Sequence, residues 1–363
     1  MASTERPVKV GLIGCGQAAV RGHLPALKRV RGAEVVALAD LNPDRLRQVA
    51  DRFGIERRCA NVADLLEHPG LEAVAVCVPA RFHVEVAAAV LEAGKHLFLE
   101  KPLALSLPEC DRLMETAEGS PGIATVGFNM RWHRLVRQAR QLVRAGRLGE
   151  VRMIRTGLAC RGHNVGSVPE WRKRRVMGGG SIVDIAIHDF DLWRFLLDGE
   201  VEEVFAASRP GETDDEVVAV AARMAGGALA SSSYVECTAA QYEVEVFGSA
   251  GRLALACYRF DGLRVFPLSS SPGDPLTRLR GAAHTLKELP RALLRRGGVS
   301  DYNASFQGEW RHFRDAVRHG TMPECTLADG RRAQEIVLAA VESASTGRPV
   351  KVAEAPGEIR PPG

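Results

Sequence analysis

The stretch from Val8 to Asp40 constrains the fold of this chain more tightly than any other. Val8–Ile13 is a run of apolar, strand-forming residues. It leads into Gly14-Cys15-Gly16-Gln17-Ala18-Ala19, and residues 18–30 then carry helical periodicity. Residues 34–39 form a second apolar strand that ends at Asp40. A strand that turns over glycines straight into a helix aims the unpaired N–H groups of the helix start at the space above the turn. The alternation continues with a helix over 43–53 (Pro43 in its first turn), a strand over 73–78, a helix over 84–92 closed by Gly94, a strand over 96–99, a helix over 108–117 and a strand over 124–127. Apolar strands separated by helices belong to a parallel sheet covered on both faces.

The pattern changes near residue 130. A helix over 135–145 precedes strand-like segments at 151–158, 201–209, 215–224, 228–237, 241–247 and 251–256, separated by turn residues such as Gly226-Gly227 and Gly248-Ser249. Two closing helices are expected over 306–318 and 327–345. The fold class is therefore α/β. An N-terminal Rossmann dinucleotide-binding domain is expected over residues 1–128, and a C-terminal α/β domain with an open, mostly antiparallel sheet over 129–353. Residues 267–300 read as an insert, Pro- and Ser-rich at first and then basic and helical, and 354–363 as a tail. An open sheet leaves one face uncovered, so a homodimer or homotetramer through that face is expected.

Composition excludes several classes. Hydrophobic residues make up 46% and charged residues 25%, as in ordinary globular domains. No apolar run approaches the about 18 residues of a membrane span. The N-terminus has no apolar signal-peptide core, and a cytoplasmic location is expected. Eight scattered cysteines include no Cys-x-x-Cys pair, so reduced structural thiols are expected, with no metal site. A net charge of +4 gives no nucleic-acid footprint. The chain carries only seven lysines against 41 arginines. Against that bias, Lys101 fits a need for a compact ammonium whose proton can move, which arginine cannot offer.

Gly14-x-Gly16-x-x-Ala19 lies between strand and helix, where Gly14, Cys15, Gly16, Gln17 and Ala18 can present backbone to a pyrophosphate. Asp40 stands at the end of the next strand, placed to accept the ribose hydroxyls of NAD and to repel the 2′-phosphate of NADP, with Arg45 close enough to soften that preference. Lys101, in Leu99-Glu100-Lys101-Pro102, ends a strand where a parallel sheet opens its ligand crevice. Asp184 and His188, four apart after Gly178-Gly179-Gly180, share a helical face. An amine, a carboxylate and an imidazole are the groups that take a proton from an alcohol. Glu100 either meets the cofactor or holds Lys101. Asp191 reads as structural. Asn129, Arg131, Trp171 and Arg172 are candidates to line a substrate pocket. The run Arg172-Lys173-Arg174-Arg175 is either a solvated face or a site for an anionic substrate group.

These motifs together resemble the Gfo/Idh/MocA family, the glucose-fructose oxidoreductase and inositol dehydrogenase superfamily. The resemblance runs through the glycine turn, Val78-Pro79 with His83, Ala93-Gly94-Lys95-His96, Glu100-Lys101-Pro102 and Gly127-Phe128-Asn129. It continues through Gly178-Gly179-Gly180-Ser181-x-x-Asp184-x-x-x-His188-x-x-Asp191 to Ser343-x-x-x-Gly347. It implies that Lys101 is the catalytic lysine, that Asp184 and His188 are its acid and imidazole, and that Pro79 lines the nicotinamide pocket. His83 reads as the cap or anchor of a helix start and is counted with the cofactor-binding residues. It also implies hydride transfer between NAD and a secondary alcohol of a sugar or cyclitol. Two alternatives remain open: a reductase of a 3-keto sugar nucleotide, and a non-catalytic NAD-binding regulator. The regulator reading expects Lys101 or His188 to be lost, and both are present.

Overall fold

Val8–Ile13, Ala33–Ala39, Arg57–Cys59, Ala73–Val76, His96–Glu100 and Ala124–Gly127 (β1 to β6) form one parallel sheet in the order β3-β2-β1-β4-β5-β6. The structure is a computed structural model. It describes residues 6–160, 169–236, 238–259, 262–270 and 300–359, together with the short pieces 274–276, 279, 281–283, 285–286 and 290. Strand order reverses between β1 and β4, the switch point at which an open α/β sheet parts its loops into a crevice. The strands are apolar throughout because both faces are covered: every side chain of β4 is buried. Local signals act as the sequence implies. Asn42 caps the helix Pro43–Phe53 by accepting from the Arg45 N–H, and Gly54, at φ +72°, ends it.

The second sheet contains Val151–Ala159, Val201–Arg209, Val217–Met224, Leu229–Val235, Gln241–Gly248, Gly251–Ala256, Leu263–Pro267 and Val350–Lys351 (β7 to β14). Their order is β13-β12-β11-β7-β10-β9-β8-β14. All pairings are antiparallel except β7 with β10, so the sheet is mixed. The exception arises because the chain leaves the sheet after β7 to build the segment around Asp184. Along β9, Val218, Val220, Ala222 and Met224 are buried and Ala219, Ala221 and Arg223 are exposed. The buried face packs on the helices Ile187–Leu197 and Leu327–Thr346 through Phe190, Trp193, Ile336 and Val337. No helix among the described residues is long and apolar enough to cross a membrane.

Three boundaries differ from the sequence reading. The strands β3, β13 and β14 were not anticipated: β3 is Arg57-Arg58-Cys59 and β14 only two residues, so neither presents an apolar run, and β13 alternates over just five residues at the edge of the sheet. The helix Asp301–His319 places Phe306, Trp310 and Phe313 in the core of the first sheet, so the two cores do not divide where the sequence does at residue 128. The expected tail docks in part: the Leu107 N–H donates to the Gly357 carbonyl at 2.7 Å, and Ile359 packs against the second core. Most of the insert expected over 267–300 lies outside the described residues.

Candidate active site

The crevice floor is built from backbone. Gly14 has φ +95°, and a Cβ there would lie 2.5 Å from the Cys77 carbonyl oxygen beyond β4, so only glycine fits. A Cβ on Gly16 would meet nothing within 4 Å. That open space, flanked by exposed Gln17 and Ala18 at the start of the helical turn Ala19–His23, suits a pyrophosphate. Cys15 contributes backbone only: burial, then the Asp40 charge, pushes its thiol up to about 12. Asp40 Oδ2 accepts from the Cys15 N–H at 2.7 Å and from Arg45 Nε at 3.0 Å. Its Oδ1 accepts from the Asn42 N–H at 2.8 Å and from Arg45 Nη2 at 2.8 Å. Burial would raise this carboxyl, but Arg45 and the two N–H donors hold it below the ordinary range. Arg45 is thus a direct bidentate partner of Asp40, a closer relation than proximity in sequence implied.

At the end of β5, Lys101 Nζ donates to Asp184 Oδ1 at 2.6 Å and to the Asp184 carbonyl at 2.5 Å. Arg172 Nε donates to Asp184 Oδ2 at 2.8 Å. Burial alone would raise the Asp184 carboxyl, but the Lys101 ammonium and then the Arg172 guanidinium hold it well below the carboxylate range. The glycine run makes this seating possible. A Cβ on Gly179 would run into the Arg172 carbonyl, and Gly180, at φ +76°, opens the wide turn Ser181–Ala186 that carries Asp184. One turn on, His188 lies edge-on to Phe128, with ring centroids 6.1 Å apart. Its Nδ1 is buried without a protein partner. Burial, then the Lys101 charge, pushes the imidazole down to about 3, so it is neutral at physiological pH. Asp184 bonds to Lys101 and Arg172, not to His188.

The other sequence candidates divide. Trp171 is half-buried beside Arg172, and Pro79 is half-buried past β4. His83 does not face the crevice: it is buried, with Nδ1 2.7 Å from the Pro102 carbonyl and Nε2 2.9 Å from the Val78 carbonyl, and it braces two loops. Asn129 is buried and donates to Ser305 Oγ at 2.9 Å. Arg131 is also buried, donating to Asp191 at 2.8 and 2.5 Å and to Asp329 at 2.9 Å. Both residues therefore act inside the protein rather than on its pocket, and Asp191 is structural as expected. The basic run is solvated only in part, at the exposed Arg174, and each of its four side chains has a carboxylate partner. Arg172 pairs with Asp184, Lys173 with Glu170, Arg174 with Asp214, and Arg175 with Asp215 in full burial.

Three groups near the site escaped the sequence reading. Glu100 Oε1 lies 2.7 Å from Nε2 of His23, a residue no motif singled out. Glu236, just past β10, accepts from Ser181 Oγ at 2.9 Å. Burial and, among its neighbours, Asp184 raise its carboxyl. Tyr302 opens the helix Asp301–His319. Burial, then Tyr258, Glu100 and Asp184, pushes its hydroxyl up to about 12. Only the fold brings these residues to Lys101. Among the described residues, no cluster of His, Cys, Asp and Glu could hold a metal.

A nucleotide turn, an acid at the next strand end and a Lys–Asp–His set at the sheet's C-terminal edge define a dinucleotide-dependent oxidoreductase. Comparison with known proteins agrees. The family model described as an oxidoreductase family with an NAD-binding Rossmann fold matches residues 8–128, and the GFO/IDH/MocA C-terminal domain matches 136–254. The chain belongs to this family and is an NAD-dependent oxidoreductase of the kind acting on CH–OH groups. It is 31% identical to a myo-inositol 2-dehydrogenase of Thermotoga maritima over 96% of this chain and 100% of that one. It is 32% identical to a dTDP-3,4-didehydro-2,6-dideoxy-alpha-D-glucose 3-reductase of Actinomadura kijaniata, over 58% of this chain and 63% of that one. The crystal structure of a probable dehydrogenase from Thermotoga maritima superposes with a TM-score of 0.77 at 27% identity, covering 96% of this chain and 100% of the other.

Proposed function

We propose that the protein oxidises one secondary hydroxyl of a neutral polyhydroxylated ring, a cyclitol of the inositol type or a free sugar. NAD, when bound, would supply the hydride acceptor. The turn Gly14–Ala18 would hold its pyrophosphate, Asp40 its ribose and Pro79 its nicotinamide end. Lys101 donates to the reacting oxygen and stabilises the negative charge that develops there. His188, neutral and part-exposed beside Lys101, is the group placed to accept the hydroxyl proton. Asp184 aligns the Lys101 ammonium. Trp171 and Glu236 meet the remaining ring face and hydroxyls.

The observation carrying the neutral class is the pairing of the basic run. Each of Arg172, Lys173, Arg174 and Arg175 already has a carboxylate partner, so none of the four stands ready for a diphosphate. The 31% identity to a myo-inositol 2-dehydrogenase supports the same reading. The sugar-nucleotide alternative draws on the reductase likeness, which spans a smaller share of the chain. The test is NAD+ reduction with myo-inositol, scyllo-inositol, glucose and a dTDP-sugar at low and high salt. A neutral ring should be turned over with a salt-insensitive KM. Turnover of the nucleotide sugar alone, weakening steeply with salt, would replace this reading.

The exposed face of the second sheet supports self-association. Ala207, Ala219, Ser233 and Gly157 stand in one register row across four strands, giving a flat strip of small side chains. A homodimer or homotetramer through this strip, in the cytoplasm, completes the proposal. The seven described cysteines are all unpaired, which suits a reducing compartment.

A further inference from the structure

We propose that His23 is a positioning residue for Lys101: fixed by Trp310 with its proton on Nε2, it clamps the Glu100 carboxylate at the root of the lysine and so sets where the ammonium points. The inference rests on the reading of Lys101 as the catalytic amine.

The ring of His23 is fully buried, and each nitrogen has one partner. Trp310 Nε1 donates to His23 Nδ1 at 3.0 Å, and His23 Nε2 lies 2.7 Å from Glu100 Oε1. An indole N–H can only donate, so Nδ1 must carry the lone pair. In a neutral imidazole the proton then sits on Nε2, aimed at Glu100. Phe98, Phe306 and Trp310 stand edge-on to the ring at 5.2, 5.3 and 5.9 Å, and Phe98 stacks on Trp310 at 4.5 Å. This cage leaves no room for the imidazole to turn. The other Glu100 oxygen accepts from the Lys101 backbone N–H at 3.1 Å. Burial would raise the Glu100 carboxyl, but the His23 hydrogen bond and the nearby charges reverse that.

The chain of contacts joins three distant segments. His23 ends the helical turn that follows the nucleotide-binding glycines, Glu100 and Lys101 end β5, and Trp310 lies on the helix Asp301–His319. The cofactor turn and the catalytic amine are thereby held in one rigid frame. A misplacement of about 1 Å at a reacting group can cost on the order of 10²-fold in rate.

The test uses the full-length protein with NAD+ and myo-inositol, the variants His23→Leu and His23→Gln, and ¹⁵N spectra of the histidine rings. His23→Leu should lower kcat on the order of 10²-fold while KM and the NADH dissociation constant change little. His23→Gln, which keeps an N–H for Glu100 and an oxygen for Trp310, should recover most of the loss. The wild-type spectrum should place the His23 proton on Nε2. Wild-type kcat in His23→Leu with only a lower melting temperature would overturn the proposal, as would no recovery in His23→Gln or a proton on Nδ1. If His23→Leu does not fold, His23→Gln and the spectrum decide. If the wild type does not turn over myo-inositol, the substrate reading fails, and the spectrum alone decides: Nε2–H supports the clamp and Nδ1–H overturns it.

Discussion

Two ion clusters are anchored seven residues apart, at Asp184, which a lysine and an arginine hold, and at Asp191, which an arginine holds. In the first, Lys101 and Arg172 hold Asp184, and the three side chains keep 13, 27 and 14% of their surface exposed. In the second, Arg131 holds Asp191 and Asp329; Arg131 and Asp191 are only 6 and 1% exposed, and Asp329, at 21%, is its one edge toward the surface. The first cluster lies just past the C-terminal end of β5, where a parallel sheet opens its crevice, beside the neutral imidazole of His188. The second is closed, with its guanidinium spent on carboxylates and on the Glu324 carbonyl. Ion pairing thus serves as a candidate reaction site beside His188 and, where the guanidinium is buried among carboxylates, as a brace. A buried pair is costly to break because it strands a charge.

The largest expected effect separates the two by activity. Lys101→Ala should lower kcat on the order of 10² to 10⁴ while NADH titration stays close to wild type. Asp191→Ala should do the reverse. It strands the Arg131 charge and should cost about 3 kcal/mol in chemical denaturation, with the folded fraction retaining kcat. Asp329 remains as a second partner and keeps the cost from rising further.

A pH effect follows from His188. Its folded value near 3 lies below the ordinary 6.5, so the folded protein refuses a proton that the unfolded chain accepts. Its contribution to stability is therefore full above pH 6.5 and declines as pH falls, by up to about 1.4 kcal/mol per unit, levelling off near pH 3. Urea midpoints measured across that window should fall less steeply in His188→Gln than in the wild type. The smallest effect belongs to the exposed part of the basic run. Lys173→Ala and Arg174→Ala each remove an outward-facing ion pair and should shift stability by about 1 kcal/mol or less, with KM for a neutral ring unchanged. A large rise in KM would instead place these charges on the substrate.

The sequence was most legible where one local rule decides. The glycine turn must sit between strand and helix, and it does; Asp184 and His188 fall on consecutive turns, the first wide and the second α-helical. It was least legible where distant segments meet. Arg131 follows a strand end like a pocket residue, yet Asp191 and Asp329, both far along the chain, draw its guanidinium inward. The run from Arg172 to Arg175 looks like one basic patch, but its side chains diverge to four separate acids, and only Glu170, three residues before Lys173, is a neighbour that sequence spacing reveals. His23 carries no motif of its own. Its place becomes visible only when Trp310, 287 residues away, closes over it.

The most direct test of the account is single-turnover hydride transfer from myo-inositol to NAD+, followed as NADH absorbance, in Lys101→Ala and Asp191→Ala side by side under conditions where both are folded. The account predicts that Lys101→Ala binds NADH normally and transfers hydride at most at a hundredth of the wild-type rate, while Asp191→Ala transfers it at close to that rate. Near wild-type transfer by Lys101→Ala, or equal losses in both variants, would contradict the division between an open catalytic cluster and a closed structural one.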